Sequence, residues 1–169
     1  MKINIAAIKD SQGETISFDF SVDAKTLQAD DETLDFVGSI KVHGTATNNG
    51  KAILVQGEIC TTVNLTCSCC LEPFLLAIQE EFLEEFNEQP QQEYPGEQDE
   101  HDYVYYQGDE IPLDELVYDH ILLALPMRLV CQDDCKGLCV KCGKNLNQAV
   151  CNCEDDKIDP RLAVLKQLF

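Results

Sequence analysis

Apolar and alternating segments in the first half of the chain predict β-strands. Four segments are rich in Ile, Val, Phe and Thr, and they cover residues 3–8, 15–22, 36–47 and 51–65. Side chains of alternate parity along such segments suit a sheet with one buried face. Asn48-Asn49-Gly50 lies between the last two segments, and Asn and Gly accept positive φ angles, so we expect a hairpin turn there.

The middle of the chain is more acidic and less regular. Residues 74–86 begin apolar and become acidic, and their periodicity does not decide between a strand and a helix. Between Glu80 and Asp119 there are fifteen acidic residues and no Lys or Arg. The part at about 87–102 also lacks apolar periodicity, which is typical of a solvated loop. The alternative is an acidic contact for a basic protein.

An amphipathic helix is predicted at about residues 113–125, after a short strand at 103–106. Leu113, Leu116, Val117 and Ile121 recur at spacings of three and four, which places them on one helical face. We expect Pro112 in the first turn and Pro126 at the stop. A second short amphipathic helix is predicted after Asp159-Pro160, at the end of the sequence.

The composition restricts the class of protein. Twelve basic and thirty-one acidic residues give a formal charge of -19, and such a field disfavours non-specific binding to nucleic acid. The first residues contain no apolar segment typical of a secretory signal, and no stretch reaches the roughly 18 apolar residues of a membrane span. We therefore expect a cytoplasmic protein without a membrane partner. In a reducing compartment, ten clustered cysteines indicate metal binding rather than disulfides.

The clearest chemical signal is a cluster of six cysteines in the last forty residues. Cys139 and Cys142 have the two-residue spacing of a zinc knuckle, and Gly143 permits the turn that aims backbone amides at the sulfur atoms. We favour Cys151 and Cys153 as the second pair of ligands. Cys131 and Cys135 are possible substitutes, and an iron–sulfur cluster is the alternative to zinc. Four sulfur ligands leave no open position, so the expected zinc is structural.

The four upstream cysteines, Cys60, Cys67, Cys69 and Cys70, have no nearby partners in the sequence. Cys67 and Cys70 are also two residues apart, so a thiol redox site or a second metal edge is conceivable. We favour small buried hydrophobes instead. The three histidines, His43, His101 and His120, lie outside the cysteine cluster and receive no function.

Several motifs resemble the YceD-like family, the large ribosomal RNA subunit accumulation proteins, in its six-cysteine form. The main match runs from Cys135-Lys-Gly-Leu-Cys139 through Cys142-Gly and Cys151-Asn-Cys153 to Asp159-Pro-Arg-Leu. Shorter matches are Gly108-Asp-x-Ile111-x-Leu113, Leu123-Ala-Leu-Pro126 and Cys67-x-x-Cys70-Leu-Glu-Pro73. The resemblance implies a factor for normal levels of large-subunit (23S) ribosomal RNA, without established catalytic activity.

We therefore predict an α+β protein that acts as a binding factor. A β-rich body with one amphipathic helix would occupy residues 1–126, and a cysteine-rich zinc module with a C-terminal helix would occupy residues 127–169. Large-subunit ribosomal RNA or a precursor particle is the expected partner, with a basic ribosomal protein or assembly factor as a further one and no small-molecule substrate. Candidate contact residues are Lys136, Lys141, Lys144, Arg161 and Lys166.

Two other classes of function compete with this interpretation. One is an enzyme, either a zinc-dependent enzyme or a thiol oxidoreductase that uses Cys67 and Cys70. Against a zinc-dependent enzyme, the sequence lacks a mixed His and carboxylate ligand set. Against a thiol oxidoreductase, it lacks a helix N-terminus that would stabilise a thiolate. The other is a zinc-ribbon adaptor in transcription, which shares the knuckle but does not explain the match after Asp159.

Overall fold

The computed structural model describes residues 1–23, 34–88 and 104–153, and their architecture is β-rich. One helix is found in these ranges. The elements, in chain order, are β1 (Lys2–Asn4), β2 (Thr15–Asp23), β3 (Asp35–Phe36), β4 (Ser39–Asn48), β5 (Ile53–Thr66), β6 (Pro73–Glu88), β7 (Val104–Tyr106), β8 (Glu110–Pro112) and α1 (Asp114–Ala124).

Six of the strands form one sheet, and five of them follow the order β2-β4-β5-β6-β7. All pairs along this path are antiparallel except β6 with β7, which is parallel. The short strand β3 pairs with β5 beyond the end of β4, and Gly38, with a φ of 89°, separates β3 from β4. The two remaining strands, β1 and β8, form a separate antiparallel ribbon.

The core lies on one face of the sheet, beneath α1 and the β1–β8 ribbon. Alternate residues of β4 and β5 point inward, among them Val42, Val55 and Ile59, which are fully buried. Helix α1 packs against β6 and buries Val117 and Ile121. The expectation of a sheet with one buried face is therefore confirmed for these strands.

The hairpin predicted at Asn48-Asn49-Gly50 is confirmed. The turn joins β4 to β5, and Gly50 has a φ of 90°. The side-chain oxygen of Asn48 accepts a hydrogen bond from the Gly50 N–H at 2.8 Å, while its Nδ2 donates to the carbonyl oxygen of Ile8 at 2.8 Å. The turn thus also holds the segment after β1.

Some predicted boundaries differ from the structure. Segment 74–86, whose periodicity does not decide between strand and helix, is a strand. It lies within β6 and pairs with β5 along its whole length. The strand expected at 3–8 ends at Asn4, and the chain then turns, with the Ile8 N–H bonded to the Ile5 oxygen. Pro112 ends β8 instead of starting the helix, since its strand pairs with β1.

Several other expectations fall partly or wholly outside the described residues. These are most of the acidic segment 87–102 and the C-terminal helix after Asp159, together with His101, Arg161 and Lys166. The first two residues of the acidic segment, Asn87 and Glu88, belong to β6.

Two glycines face each other on the buried side of the sheet. Gly44 of β4 pairs with Gly57 of β5, and the next residues across the sheet are Phe18 on one side and Phe82 on the other. A Cβ added at Gly44 would lie 2.1 Å from the Gln56 oxygen and 2.8 Å from Cζ of Phe18. The two rings therefore occupy the space that the missing side chains leave.

We expect Gly44→Ala to lower the free energy of unfolding by about 1–3 kcal/mol, because an overpacked core must displace backbone or rings. Urea denaturation measures this change. The control is Lys41→Ala on the exposed face of the same strand, which should change stability by no more than about 0.5 kcal/mol. Equal stability of the two variants would contradict the packing described here.

Candidate metal centre

Four cysteines of the C-terminal segment come together at one point. The sulfur atoms of Cys139, Cys142, Cys151 and Cys153 all lie within 4.8 Å of one another. The Sγ of Cys151 is 3.5 Å from that of Cys142 and 3.4 Å from that of Cys139. These are the four ligands favoured from the sequence, and the structure places them in one cluster that could hold a metal ion.

A tight turn holds the first two of these cysteines. The Cys139 N–H donates to the Lys144 oxygen at 2.8 Å, and the Gly143 N–H donates to the Cys139 oxygen at 2.8 Å. Gly143 has a φ of 70°, which a glycine adopts without steric cost. Backbone N–H groups of Cys142 and Lys141 point at the Cys139 sulfur and lower the pKa of this thiol to about 6.

The Cys153 thiol of this cluster resists ionisation. Hydrogen bonds with the sulfur atoms of Cys151 and Cys142 raise the pKa of Cys153 to about 12. A bound cation would replace the shared protons, because thiolates are the form that ligates metals. The donor set thus fits a cation that prefers sulfur.

A second cluster contains Cys67, Cys70, Cys131 and Cys135, whose sulfur atoms also lie within 4.8 Å of one another. The Sγ–Sγ distance is 3.8 Å between Cys67 and Cys135 and 3.7 Å between Cys70 and Cys131. Cys67 and Cys70 are in the turn between β5 and β6, and both are buried.

The sequence interpretation missed this second cluster. It treated Cys67 and Cys70 as small hydrophobes without an opposing pair, and Cys131 and Cys135 as substitutes in the other cluster. The opposing pair exists, but it is 61 and 68 residues away along the chain. The available signal was the two-residue spacing of Cys67 and Cys70, which equals that of Cys139 and Cys142.

Polar contacts tie the C-terminal segment to the sheet near the second cluster. The N–H and the hydroxyl of Ser68 both donate to the Leu129 oxygen, at 2.8 and 2.6 Å. Arg128 donates from a guanidinium nitrogen to the Cys69 sulfur at 3.4 Å. These contacts align residues 128–131 with the β5–β6 turn.

Asn147 connects the two clusters. It lies between Cys142 and Cys151 in the sequence, yet its Nδ2 donates to the sulfur of Cys135 at 3.2 Å. Its Oδ1 accepts a hydrogen bond from the Lys136 N–H at 2.8 Å. The Asn147 amide is the main cause of a lowered pKa at Cys135.

The other candidate residues contribute no side chain to either cluster. Cys60 is within β5, and Cys69 is in the β5–β6 turn but belongs to neither cluster. Lys136, Lys141 and Lys144 are exposed. His43 and His120 lie beside Glu58 and Glu84, with Nε2–Oε distances of 3.2 and 3.5 Å. None of the described residues form a helix with the length and apolar character needed to traverse a bilayer.

Residues 55–169 match the family described as "Large ribosomal RNA subunit accumulation protein YceD". The chain belongs to the YceD family. The matched range contains all ten cysteines and therefore both clusters. The family resemblance of the sequence motifs is thus confirmed.

The chain is similar to three relatives from distant organisms. An uncharacterized protein of Mycobacterium tuberculosis is 32% identical over 124 residues, which are 70% of this chain and 56% of the relative. A chloroplastic protein of Zea mays, named "Large ribosomal RNA subunit accumulation protein YCED homolog 1", is 27% identical over 93% of this chain and 64% of its own length. The uncharacterized protein YlbN of Bacillus subtilis is 24% identical over the whole chain and 96% of its own length.

The chain therefore spans about half the length of the mycobacterial relative that it matches. No solved structure matches the chain.

The bridging position of Asn147 predicts a measurable contribution to stability. Asn147→Ala should lower the free energy of unfolding by about 1–2 kcal/mol, because it removes the hydrogen-bond donor to the Cys135 sulfur. Asn147→Asp should lower it further, since a carboxylate then lies beside that sulfur. Urea denaturation of the protein as purified measures both changes.

The control for this prediction is Asn152→Ala, which removes an exposed amide between Cys151 and Cys153. It should change the free energy of unfolding by no more than about 0.5 kcal/mol. If Asn147→Asp were as stable as the unsubstituted protein, Asn147 would not act as a link between the clusters.

Proposed function

We propose that this protein is a non-catalytic factor in biogenesis of the large ribosomal subunit and supports accumulation of its ribosomal RNA. The observation that carries the proposal is the family match over residues 55–169, which includes both cysteine clusters. The chloroplastic relatives of Zea mays and Arabidopsis thaliana are named for the same role. The proposal includes a cytoplasmic location, as expected from the sequence.

A binding role suits the chemistry of the clusters better than an enzymatic one. Four sulfur ligands fill a tetrahedral metal site, so a bound ion has no position for water or substrate. Neither cluster contains a histidine or a carboxylate. The rival interpretations, a zinc-dependent enzyme, a thiol oxidoreductase and a transcription adaptor, have no comparable support.

In this proposal, Cys139, Cys142, Cys151 and Cys153 hold a structural zinc ion. The segment that contains them has few buried apolar side chains, and Val140 and Val150 are largely exposed. Without a core, the segment needs another source of folding free energy, and metal ligation supplies it in small zinc modules. The division into a body at 1–126 and a zinc module at 127–169 rests on this difference in packing.

Removal of the metal should therefore unfold the module and leave the sheet folded. After treatment with a strong chelator under reducing conditions, we expect a protease to cleave residues 127–153 faster than it cleaves β5 and β6. Limited proteolysis with mass analysis of the fragments measures this difference. Readdition of Zn²⁺ is the control and should restore protection, whereas an unchanged cleavage pattern without metal would contradict the structural role.

Two separate surfaces suit the two expected partners. Lys136, Lys141 and Lys144 are exposed on the module and could contact phosphate groups of ribosomal RNA. A groove between α1 and the β6–β7 edge has an apolar floor that includes Phe86 and Leu116.

The rim of this groove is acidic. Glu84, Glu115 and Asp119 line it, and no Lys or Arg is among the described residues of its lining. Charge complementarity and the apolar floor favour a basic segment of a ribosomal protein or assembly factor as its occupant. The RNA contact and the groove contact are thus assigned to separate surfaces.

Sedimentation of cell extract through a gradient tests the function. The protein should comigrate with immature large-subunit particles, and the triple substitution of Lys136, Lys141 and Lys144 by Gln should reduce the bound fraction. The matched control is Lys41→Gln with Lys51→Gln, which removes positive charge from the sheet. A protein that stays at the top of the gradient at low salt would contradict the proposal.

Crosslinking in the same cell extract tests the groove separately. Glu84→Gln, Glu115→Gln and Asp119→Asn together should reduce crosslinks to a basic ribosomal protein or assembly factor. The control changes Glu14, Asp19 and Glu81 to the corresponding amides, which removes the same charge away from the groove. If both triple variants lose the same crosslinks, net charge and not the groove determines binding.

A further inference from the structure

The turn between β5 and β6 has the same backbone geometry as the turn at Cys139–Cys142. In both turns the N–H of the first cysteine donates to the oxygen five residues later, Glu72 at 2.9 Å and Lys144 at 2.8 Å. In both, the N–H of the residue after the second cysteine donates back to the oxygen of the first, at 2.9 Å from Leu71 and 2.8 Å from Gly143. The chain therefore contains two knuckles of one type.

Leu71 makes the second knuckle unusual. Its φ is 60°, close to the 70° of Gly143, and it is the one non-glycine residue with a positive φ in the described part of the chain. A leucine in this conformation is destabilised by about 1–2 kcal/mol, and such strain persists where the surroundings enforce it, often at functional sites. Leu71 is 64% exposed, so burial of its side chain does not compensate for the strain.

The sulfur distances in this cluster fit a tetrahedral zinc site. A Zn–S bond of about 2.3 Å places two sulfur atoms at tetrahedral corners about 3.8 Å apart. The distances observed across the cluster, from Cys67 to Cys135 and from Cys70 to Cys131, are 3.8 and 3.7 Å. A disulfide would need about 2.05 Å, and all ten cysteines are free thiols.

Backbone donors point at the sulfur atoms as they do in the other knuckle. The Cys70 N–H donates to the Cys67 sulfur, as the Cys142 N–H does to the Cys139 sulfur. The Gly137 N–H likewise donates to Cys135. A Cβ at Gly137 would lie 3.1 Å from the Cys69 oxygen, so the two segments touch at backbone level.

We infer that Cys67, Cys70, Cys131 and Cys135 bind a second zinc ion, which fastens residues 127–153 to the β5–β6 turn. Each segment contributes two ligands to this site, in contrast to the site at Cys139, where one segment supplies all four. The ion would close loops of more than sixty residues, so the chain entropy lost on closing them is larger than at the local site.

The two ions would be close neighbours. Lys136, Gly137 and Leu138 alone separate Cys135 from Cys139 in the sequence. Asn147 bonds to Cys135 from the loop of the other site, and the Leu146 N–H donates to the Gly137 oxygen at 2.9 Å. The second ion therefore orients the first site on the sheet.

The zinc content of the full-length protein, purified under reducing conditions, tests this inference. Elemental analysis and native mass spectrometry should find two zinc ions per chain. Cys67→Ser with Cys70→Ser should leave one, and Cys139→Ser with Cys142→Ser should also leave one. One zinc ion in the unsubstituted protein, unchanged by loss of Cys67 and Cys70, would overturn the inference.

Substitutions of two cysteines that are not proposed ligands serve as controls for a general effect of cysteine loss. Cys69→Ser lies within the same turn and keeps an acceptor for Arg128, and Cys60→Ser lies in β5. Both should retain two zinc ions, and loss of an ion from Cys69→Ser would count against the assignment of ligands. Iron with inorganic sulfide at this site would overturn its assignment to zinc.

The variant of the buried pair could fail to fold, so Cys131→Ser with Cys135→Ser provides an independent test. Cys131 is exposed and Cys135 is half-buried, outside the strands of the sheet. This variant should retain one zinc ion and should lose hydrogen-exchange protection at the Ser68 amide, which bonds to Leu129. Retention of two ions, or of full protection, would refute the fastening role.

Substitutions at Leu71 test the knuckle without touching a ligand. Leu71→Gly should keep both ions, because glycine adopts a positive φ freely. Leu71→Ile should release one ion at a lower chelator concentration, because a β-branched residue is least compatible with this conformation. Identical zinc retention in the two variants would contradict the conformation assigned to this turn.

Discussion

The longest hairpin in the described part of the chain is closed by a turn that contains three cysteines. β5 and β6 pair from Ile53 with Phe86 at one end to Thr66 with Pro73 at the other, and residues 67–72 form the turn. Helix α1 packs on β6, β3 and β4 share the opposite edge of β5, and the C-terminal segment docks on the turn itself. The geometry of this turn therefore decides how sheet and cysteine-rich segment meet.

Much of the sheet follows from local properties of the sequence. The β4–β5 hairpin was predictable because Asn and Gly mark the turn and apolar parity marks the buried face. The strand at 74–86 was not, since its outward side chains change from apolar to acidic along the strand. Only its pairing with β5 distinguishes it from a helix, and pairing is a long-range property.

The two cysteine clusters also differ in whether they depend on local or on long-range contacts along the chain. All four cysteines of the first lie within fifteen residues, so spacing alone brought Cys139, Cys142, Cys151 and Cys153 together in the prediction. The second cluster joins a hairpin turn to a segment more than sixty residues later in the chain, and no local sequence pattern predicts that contact. The assignment of Cys131 and Cys135 as substitutes arose because six nearby cysteines competed for one predicted ion.

Two filled zinc centres would change the role of the basic residues around them. A Zn²⁺ ion with four thiolates carries a formal charge of −2, so two centres together carry four negative charges. Residues 127–153 contain four basic residues, Arg128, Lys136, Lys141 and Lys144, and two acidic ones, Asp133 and Asp134. With both centres filled, this segment is net negative and does not attract RNA through its overall field. Any contact with ribosomal RNA must then depend on where individual lysines reach a phosphate, and so on the orientation that the β5–β6 turn gives to the segment.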